Sequence, residues 1–582
     1  MALKEAAKQI FQSFPLASWL PHYNKATFTQ DAVAGVIVAI LLIPQGMAYA
    51  ILAGLPPEYG LYASIAPLFI YALFGSSRTL AVGPVAIASL MVNSALHETP
   101  LPAHISYVDA AINLAFLVGC FLLALRLLKL GTIVNFISHS VIAGFTSAAA
   151  LIIAFSQIKH LFGLSLPKSE NIAHELLNVL HNIPDLHLQT VIMSLLAALI
   201  LLATKHKLCD FLSQWKVQEW FKEAVCKAGP MFAVFFCSFL AWSLGDSRIS
   251  TVGEIPAGLP SFSLLPLYPE VWSSLAIPAL LIALIGYIES VSVGTALASK
   301  RRERIEPNKE LVALGLANIG AAVSGAYPVA GGFGRSMVNY SAGAQTTIAS
   351  LITASVVTLT VLCLTPLFEY IPQATLAIII IFAVIPLIDI AGFKKIVRFN
   401  RGDAVTQLAT FSAVLILGVE LGIIAGITLS IAILLYRTSV PHIAIVGRVA
   451  NTEHFRNISR HDVITHPNIL AIRVDESLYF ANTRHVETFV LQQCTHQPEL
   501  RHIILICAAV NFIDASALET LENLSHHLKD QGKTLHLSEV KGPVMDQLKR
   551  INYKALLGNG EIFFTTTEAM NTLEKQSPFL TS

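Results

Sequence analysis

Long apolar stretches alternate with short polar loops over most of the chain. A helix needs about 20 apolar residues to cross the hydrocarbon core of a bilayer. The pattern therefore predicts about fourteen membrane segments, two of them only half-length. These segments lie near residues 32–53, 58–74, 80–96, 110–128, 132–157, 188–204, 229–245, 272–298, 309–326, 333–345, 346–367, 373–392, 404–420 and 422–436.

The pattern changes after Arg437, where the apolar stretches become short. Five of them are typical of strands: ILAIRV, SLYFAN, IILICAAV, LHLSEV and EIFFTT. Helical patterns cover residues 483–496, 516–530, 542–550 and 566–574. Strands that alternate with helices predict a small α/β domain. We divide the chain into an N-terminal segment, a membrane domain and a soluble domain, at residues 1–24, 25–437 and 438–582.

The distribution of charge agrees with this division. Asp, Glu, Lys and Arg make up 13% of the chain, against about 25% in a typical soluble protein. Their share is about 11% in residues 1–440 and about 20% in residues 441–582. We infer that the first part faces membrane lipid. The net charge of +1 gives no reason to expect nucleic acid as a partner.

Basic residues recur after every second segment and predict the orientation of the chain. They lie near residues 78, 126–129, 205–227, 300–309, 394–401 and 437. Three of the intervening loops hold almost no Lys or Arg, and a fourth, with Lys159 and Lys168, is a mild exception. We therefore expect a multi-pass protein of the inner or plasma membrane, with both termini and the soluble domain in the cytoplasm.

Ionisable side chains inside membrane segments are costly, so each one indicates a candidate functional site. Glu289, Arg335 and Glu420 lie within apolar stretches. Glu289 and Arg335 also fit a purely structural ion pair. For Glu420 we expect a partner-satisfied residue at a helix packing face.

Glycine and proline interrupt three segments, at Gly83-Pro84, at Pro328 to Gly334 and at Pro44. Broken helices at corresponding places in two halves of a chain indicate a transporter binding site. A half-helix that begins inside the membrane directs free N–H groups and its positive dipole end into a cavity, where they bind anions. Glycines at such places also fit close helix packing alone.

Five motifs, in order along the chain, resemble those of the sulfate permease (SulP) family of anion transporters. They are QGMAYAILAGLPPEYGLYAS, AVGPVAIASLMV, SHSVIAGFTSAAA, IESVSVGTALASK and GRSMVNYSAGAQT. The resemblance covers residues 15–560 and implies a polytopic, uracil-permease-like fold of seven plus seven segments in an inverted repeat. Segments 1–4 and 8–11 would form a transport core, and segments 5–7 and 12–14 a gate domain. Family members are typically homodimers that work by elevator-like alternating access.

The resemblance also implies an anion site between the third and tenth segments. Its residues would be Gln45, Tyr49, Val85, Ala86, Phe333, Gly334, Arg335 and Ser336. Gln45 and Tyr49 also fit simple hydrogen bonds between helices. Glu289 occupies the acidic position that is Glu in proton-coupled sulfate carriers and Asp in sodium-coupled bicarbonate carriers.

Glu289 is the expected proton carrier, because a carboxyl group removed from water favours its neutral form and an arriving anion strengthens that preference. We predict a secondary active transporter with proton-coupled uptake of sulfate. The alternatives are a bicarbonate or dicarboxylate carrier, sodium coupling, an uncoupled anion channel and a non-transporting sensor. We expect no enzyme activity, no cofactor and no metal site.

The soluble domain resembles the STAS domain (sulfate transporter and anti-sigma antagonist). In the segment NFIDASALETLENL, Asp514 and Ser516 match the motif in which soluble members carry a phosphorylated serine. Ser516 is therefore a candidate regulatory residue, although we expect that it only caps the following helix. The expected partners of the whole protein are a small inorganic anion, a proton, membrane lipid and a second copy of the chain.

Overall fold

The computed structural model divides into two compact units, Met1–Ser430 and Ile431–Ser582, and the division falls within one long helix. It describes residues 19–131, 138–164, 178–179, 181–208, 211, 225–226, 228–245, 248–256, 258–259, 267–551 and 553–576. The predicted domain boundary after Arg437 stays a prediction.

The first unit is helical. Its main helices are α1 (Lys25–Leu52), α2 (Glu58–Tyr62), α3 (Ala66–Phe74), α4 (Ala86–Glu98), α5 (Tyr107–Leu127), α6 (His139–Ser156), α7 (Ile158–Phe162), α8 (Leu188–Leu202), α9 (Gly229–Leu244), α10 (Trp272–Lys300), α11 (Pro307–Val323), α12 (Phe333–Ser341), α13 (Ile348–Cys363), α14 (Gln373–Val384), α15 (Ile390–Phe399), α16 (Arg401–Leu417) and α17 (Val419–Ser439). Two short strands accompany them, β1 (Val82–Gly83) and β2 (Ala330–Gly331).

Among the described residues, six helical stretches are long and apolar enough to cross a membrane. They are Lys25–Leu52, Tyr107–Leu127, His139–Phe162, Pro269–Lys300, Gln373–Phe399 and Val419–Ser439. Shorter apolar helices lie between them. The protein is thus polytopic and helical, as expected, while the count of fourteen segments stays a prediction.

The helices of the first unit pack in two groups. In one group α5 packs against α10 and α11, α3 packs against α11 and α13, and α1 packs against α13. In the other group α6 packs against α16, and α8 packs against α9 and α14. The groups meet where α1 contacts α9 and α14, and where α4 contacts α6. The division into a transport core and a gate domain stays a prediction.

Two buried carboxylates fix loops of the first group. Glu310, in the first turn of α11, accepts hydrogen bonds from the Ser76 amide (2.8 Å), the Ser76 hydroxyl (2.7 Å) and the Tyr71 hydroxyl (3.0 Å). Asp31 of α1 accepts one from the amide of Gln345 at 2.6 Å, in the loop that leads to α13. Sequence reasoning missed Glu310, because it follows a run of basic residues and resembles an ordinary loop charge.

Helix α1 runs without interruption through Pro44, so the break predicted there is wrong. Proline removes one backbone donor from a helix, but neighbouring helices tolerate such a loss inside a membrane protein. Most of α1 is buried inside the helical unit. Gly46 contributes to the close packing, since a Cβ atom there would lie only 3.1 Å from the carbonyl oxygen of Gly60.

The second unit is built on a six-stranded sheet with the order β4-β3-β5-β6-β7-β8. β3 is antiparallel to β4 and β5, and the remaining neighbours are parallel. The strands are β3 (Ile443–Arg448), β4 (Phe455–Asn457), β5 (Ile469–Val474), β6 (His502–Ile506), β7 (Thr534–Ser538) and β8 (Ile562–Phe563). The helices are α18 (Thr483–His496), α19 (Ala515–Asp530), α20 (Gly542–Arg550), α21 (Tyr553–Leu557) and α22 (Thr566–Gln576).

Helices cover both faces of this sheet, which explains why its central strands are apolar throughout. Leu470 and Ile472 of β5 belong to the core formed with α18 and α19. Their neighbours Ile469 and Ala471 belong to the core formed with α22. The α/β prediction is therefore confirmed.

The segment SLYFAN is not a strand, contrary to prediction. Leu478 forms a single bridge with Ile513. Asn482 then bends the chain, because its side chain accepts from the Tyr479 amide (3.0 Å) and donates to the Ser477 carbonyl (2.8 Å). Apolar residues gave a strand pattern here, but side-chain hydrogen bonds to the backbone favour a turn. The sequence analysis also missed β3 and β4.

A histidine pair, buried His536 and half-buried His502, links β6 and β7. Nδ1 of His536 accepts a hydrogen bond from the Glu561 amide at 3.2 Å, so its proton is on Nε2, which faces Nδ1 of His502 at 3.2 Å. Burial, reinforced by the neighbouring His502, lowers the pKa of His536 to about 4. The fold therefore stabilises the neutral ring.

We predict that acid destabilises this sheet. Because the folded pKa lies below the unfolded value of about 6.5, the stabilisation is complete above that pH and is lost as the pH falls towards 4. Linkage gives a loss of about 2 kcal/mol between pH 7 and pH 5. Hydrogen exchange of the β6 and β7 peptides, corrected for intrinsic rates, measures it in the full-length protein. The loss should shrink in His536→Asn but not in His526→Asn, which changes an exposed histidine; equal losses in both variants contradict the prediction.

Candidate functional site

The two interrupted segments meet inside the first unit. β1 and β2 pair in antiparallel fashion, with Val82 opposite Gly331 and Gly83 opposite Ala330. The amide of Gly331 also donates to the hydroxyl of Ser290 in α10, at 2.8 Å. Non-helical backbone at membrane depth needs such internal partners. Each interrupted segment therefore provides hydrogen-bond partners for the backbone of the other.

Two half-helices begin directly after these strands. α4 begins at Ala86 after its N-cap Val85, and α12 begins at Phe333 after its N-cap Gly332. Neither N-cap residue supplies a side-chain hydrogen bond to its helix. The first N–H groups of a helix have no intrahelical partner. Two uncapped, positive helix ends consequently flank the β1–β2 pair.

Arg335 joins the two half-helices. It lies in the first turn of α12, and its Nη1 donates to the carbonyl of Pro84 at 2.5 Å. A Cβ atom on Gly332 would lie 3.0 Å from its Nη2, so the guanidinium rests against the bare backbone there. The side chain is only 3% exposed. Its Nε and Nη2 atoms have no hydrogen-bond partner within the described residues.

Ser336 and Gly334 have different surroundings. The hydroxyl of Ser336 donates to the Gly332 carbonyl (2.6 Å) and accepts from the Ala81 amide (2.9 Å), so it holds the strand pair. A Cβ atom on Gly334 would meet no atom within 4 Å. Phe333 is half exposed beside it. Open space therefore adjoins the start of α12.

Glu289 lies on α10 next to Ser290 and is partly buried. Its charge interacts with that of Arg335, and the hydroxyl of the buried Tyr49 interacts with both groups. Glu289 and Arg335 form no direct salt bridge within the part of the chain that the structure describes. Glu289 and Arg335 therefore do not form the purely structural ion pair that the sequence also allowed.

Gln45 faces a different space from the half-helix ends. It lies one turn before Tyr49 on α1 and lines a cavity of about 190 Å³. The other lining residues come from the second group of helices and the segments beside them: Leu201, Thr204, Cys226, Gly229, Pro230, Ile379, Phe382 and Ala383. Gln45 therefore lies at the boundary between the two groups. Its predicted role in closing the anion site stays a prediction.

Sequence reasoning missed Tyr327. This side chain is fully buried, its hydroxyl lies 3.3 Å from the hydroxyl of Ser89 in α4, and it interacts electrostatically with Arg335. Its position directly before Pro328, at the start of the interrupted segment, was the available signal.

Glu420 is not satisfied by a partner, contrary to expectation. Its Oε1 atom is buried and has no hydrogen-bond partner among the residues described. Glu420 interacts electrostatically with another carboxylate, that of Glu98 at the end of α4.

Asp514, rather than Ser516, caps α19, so the capping role predicted for Ser516 is wrong. Asp514 accepts hydrogen bonds from the amides of Ala517 (2.8 Å) and Phe480 (2.9 Å). The helix begins at Ala515, which places Ser516 inside the first turn. The Ser516 side chain is exposed and has no hydrogen-bond partner in the described part of the domain.

Residues 28–410 match the sequence profile of the Sulfate permease family. The chain belongs to the sulfate permease family. Residues 460–569 match the STAS domain. This permease is accordingly a multi-pass membrane protein and an anion transporter rather than an enzyme, as expected.

Plant proteins are similar to the permease over nearly its whole length. The "Probable sulfate transporter 4.2" of Arabidopsis thaliana is 35% identical over 570 residues, which cover 96% of this chain and 83% of the relative. The "Sulfate transporter 4.1, chloroplastic" of the same plant is 36% identical, with 96% and 82% covered.

Solved structures share the fold of the permease. Murine Slc26a9, described as an anion transporter in the inward-facing state, superposes with a TM-score of 0.87 at 22% identity, with 98% of this chain and 95% of that chain covered. The transmembrane domain of the cyanobacterial bicarbonate transporter BicA gives a TM-score of 0.57 at 24% identity, with 69% and 98% covered.

Gly332 and Gly334 give a matched pair for testing the geometry of this site. In Gly332→Ala the new methyl group meets Arg335 Nη2 at 3.0 Å and Val85 Cγ1 at 3.2 Å, while in Gly334→Ala it meets nothing. We expect Gly332→Ala to cost about 1–3 kcal/mol of stability through overpacking and Gly334→Ala to cost nothing. Melting temperatures of the two variants in detergent measure this difference. Equal melting temperatures contradict the described packing of Arg335.

Proposed function

We propose that this permease takes up sulfate together with protons. The observation that carries the proposal is the pair of uncapped helix ends beside Arg335. Sulfate has two negative charges and four acceptor oxygens, so it suits several N–H donors directed at one place. The unpartnered Nε and Nη2 of Arg335 add charged donors in a water-poor interior. The names of the plant relatives support sulfate as the anion.

Glu289 is the proposed proton carrier. Its position in the electrostatic neighbourhood of Arg335 and Tyr49 supports this role. An arriving dianion disfavours the negative charge of a nearby carboxylate, so binding of the anion and protonation of Glu289 promote each other. The two ions then travel together.

The transport cycle in this proposal is an elevator-like alternating access. The packing of the helices in two groups supports it, because the half-helices belong to the group of α1, α10 and α11 and can move with it. The cavity beside Gln45 lies at the boundary along which the groups would slide. We further propose a homodimer in the inner or plasma membrane, with both termini in the cytoplasm.

The orientation has local support. Nη1 of Arg78 lies 3.3 Å from Oε1 of Glu303, so the basic loops after α3 and α10 meet at one end of the unit. Positive charge gathers on the cytoplasmic side of membrane proteins. In the STAS domain, the exposed Ser516 stays a candidate phosphorylation site.

Uptake of radiolabelled sulfate into proteoliposomes tests the function as a whole. We expect saturable uptake that an inward proton gradient stimulates and that sodium does not affect. If bicarbonate or a dicarboxylate competes more strongly than unlabelled sulfate, that anion is the preferred substrate instead. Uptake that needs sodium would favour the sodium-coupled carrier. Flux that does not saturate would favour the channel, and the absence of flux would favour the sensor.

The first variant tests the proton carrier. Glu289→Gln keeps the size and polarity of the side chain but cannot exchange a proton. We expect sulfate uptake that no longer responds to a proton gradient, while exchange of sulfate for sulfate continues. Glu98→Gln, which removes an exposed carboxylate at the end of α4, serves as the control. Normal proton-driven uptake by Glu289→Gln would sink the coupling proposal.

The second variant tests the anion site. Arg335→Ala removes two unpartnered charged donors, and a hydrogen bond to a charged group contributes about 1.5–3 kcal/mol. We expect sulfate affinity to fall by about 10- to 100-fold. Equilibrium binding of radiolabelled sulfate measures the effect, with the melting temperature as a check on folding. Arg335→Lys keeps the charge and should lose less, and unchanged affinity in Arg335→Ala is the contrary outcome.

A further inference from the structure

A second polar cavity lies apart from the half-helix ends, where α7, α8 and α14 come together. It has a volume of about 260 Å³ and shares no lining residue with the site described above. Its lining residues are Lys159, His160, Gly163, Leu164, Thr190, Ser250, Gln373 and Ala374. Most of these residues are polar, and they lie at helix ends and in the loop that contains Ser250.

The charge at this cavity is positive. Lys159 and His160 follow each other on α7, and the side-chain ammonium group of Lys159 has no hydrogen bond or ion pair within the residues described. The formal charge that acts on His160 comes from Lys159, and both His160 and Gln373 line the cavity. Within the described part of the chain, therefore, no acidic residue neutralises the lysine.

The start of α14 adds backbone donors to the same cavity. α14 begins at Gln373 after Pro372, whose side chain cannot cap the helix. The amide of Gln373 is bound to the Ser250 carbonyl at 2.9 Å. Ala374 is only 2% exposed, and its amide has no partner among the described residues. An unpaired N–H group therefore accompanies the lysine.

The lysine also departs from the charge pattern of the chain. The loops predicted to face away from the cytoplasm hold almost no Lys or Arg, and Lys159 belongs to the exception. A basic residue on that side opposes the orientation that the other loops favour. A role in binding a ligand in the polar cavity would account for a basic residue on that side.

We propose that the cavity between α7, α8 and α14 is a second anion site, which holds a small oxyanion such as sulfate. Lys159 supplies the charge, the start of α14 supplies a backbone donor, and the hydroxyl groups of Thr190 and Ser250 line the remaining space. An anion held there would lie on the side that the loop charges predict to be extracytoplasmic. The proposal rests on the proposed function only in taking sulfate as the ligand.

Binding stoichiometry tests the proposal. Radiolabelled sulfate is titrated to millimolar concentration against purified full-length protein in a scintillation proximity assay. We expect two sulfate ions per protomer in the wild type and one in Lys159→Gln. In Arg335→Ala we expect two, of which the central one binds about 10- to 100-fold more weakly than in the wild type. Lys159→Arg keeps the charge and should retain two. Lys129→Gln, which removes an exposed lysine, should also retain two, and melting temperatures check that each variant is folded.

The outcomes separate the two sites. One sulfate per protomer in the wild type, with an affinity that falls in Arg335→Ala, overturns the second site and leaves the proposed function intact. Two sulfate ions in Lys159→Gln overturn the role of Lys159 and with it the site. One sulfate in the wild type that is lost in Lys159→Gln but binds with unchanged affinity in Arg335→Ala would instead contradict the proposed central site.

Discussion

The constraint on which the rest of the structure depends is that backbone groups in a membrane interior need internal hydrogen bonds. Two segments leave the helical conformation inside this unit, and the β1–β2 pair satisfies both. Asn318 of α11 extends the pairing, because its side-chain amide donates to the Val329 carbonyl (3.0 Å) and accepts from the Val329 amide (2.9 Å). Neither half-helix would be stable alone, so the two halves of the chain have to meet here.

The same constraint creates the binding capacity. Some helices of this unit have side-chain caps, as Ser106 caps α5 and Asn400 caps α16. The two half-helices have Val85 and Gly332 at the corresponding positions, and neither accepts a hydrogen bond from its helix. A serine or aspartate cap would use the N–H groups that an anion needs. Other helices of the unit also begin without a side-chain cap, for example α8 and α11. What distinguishes this place is that two such starts follow the β1–β2 pair and that Arg335 joins them.

The sequence predicted those parts that depend on local composition. The Gly83-Pro84 and Pro328 to Gly334 breaks were predicted because glycine and proline disfavour a helix in most surroundings. Pro44 has the same composition signal, yet α1 continues through it because tertiary packing decides. Glu310 and Tyr327 were missed for a related reason. Their partners, Ser76 and Ser89, are more than two hundred residues away along the chain, and no local pattern reveals such contacts.

Arg335 couples the strand pairing to the anion. One of its nitrogen atoms is bound to Pro84, in the segment that precedes α4, while its other two have no partner among the residues that the structure describes. An anion that contacts the starts of α4 and α12 would be held by both halves of the core at once. Ligand binding stabilises the state that binds it, so an anion would strengthen the contact between the half-helices. The core would then be most rigid when it is loaded, which is what a group of helices needs in order to move as one body.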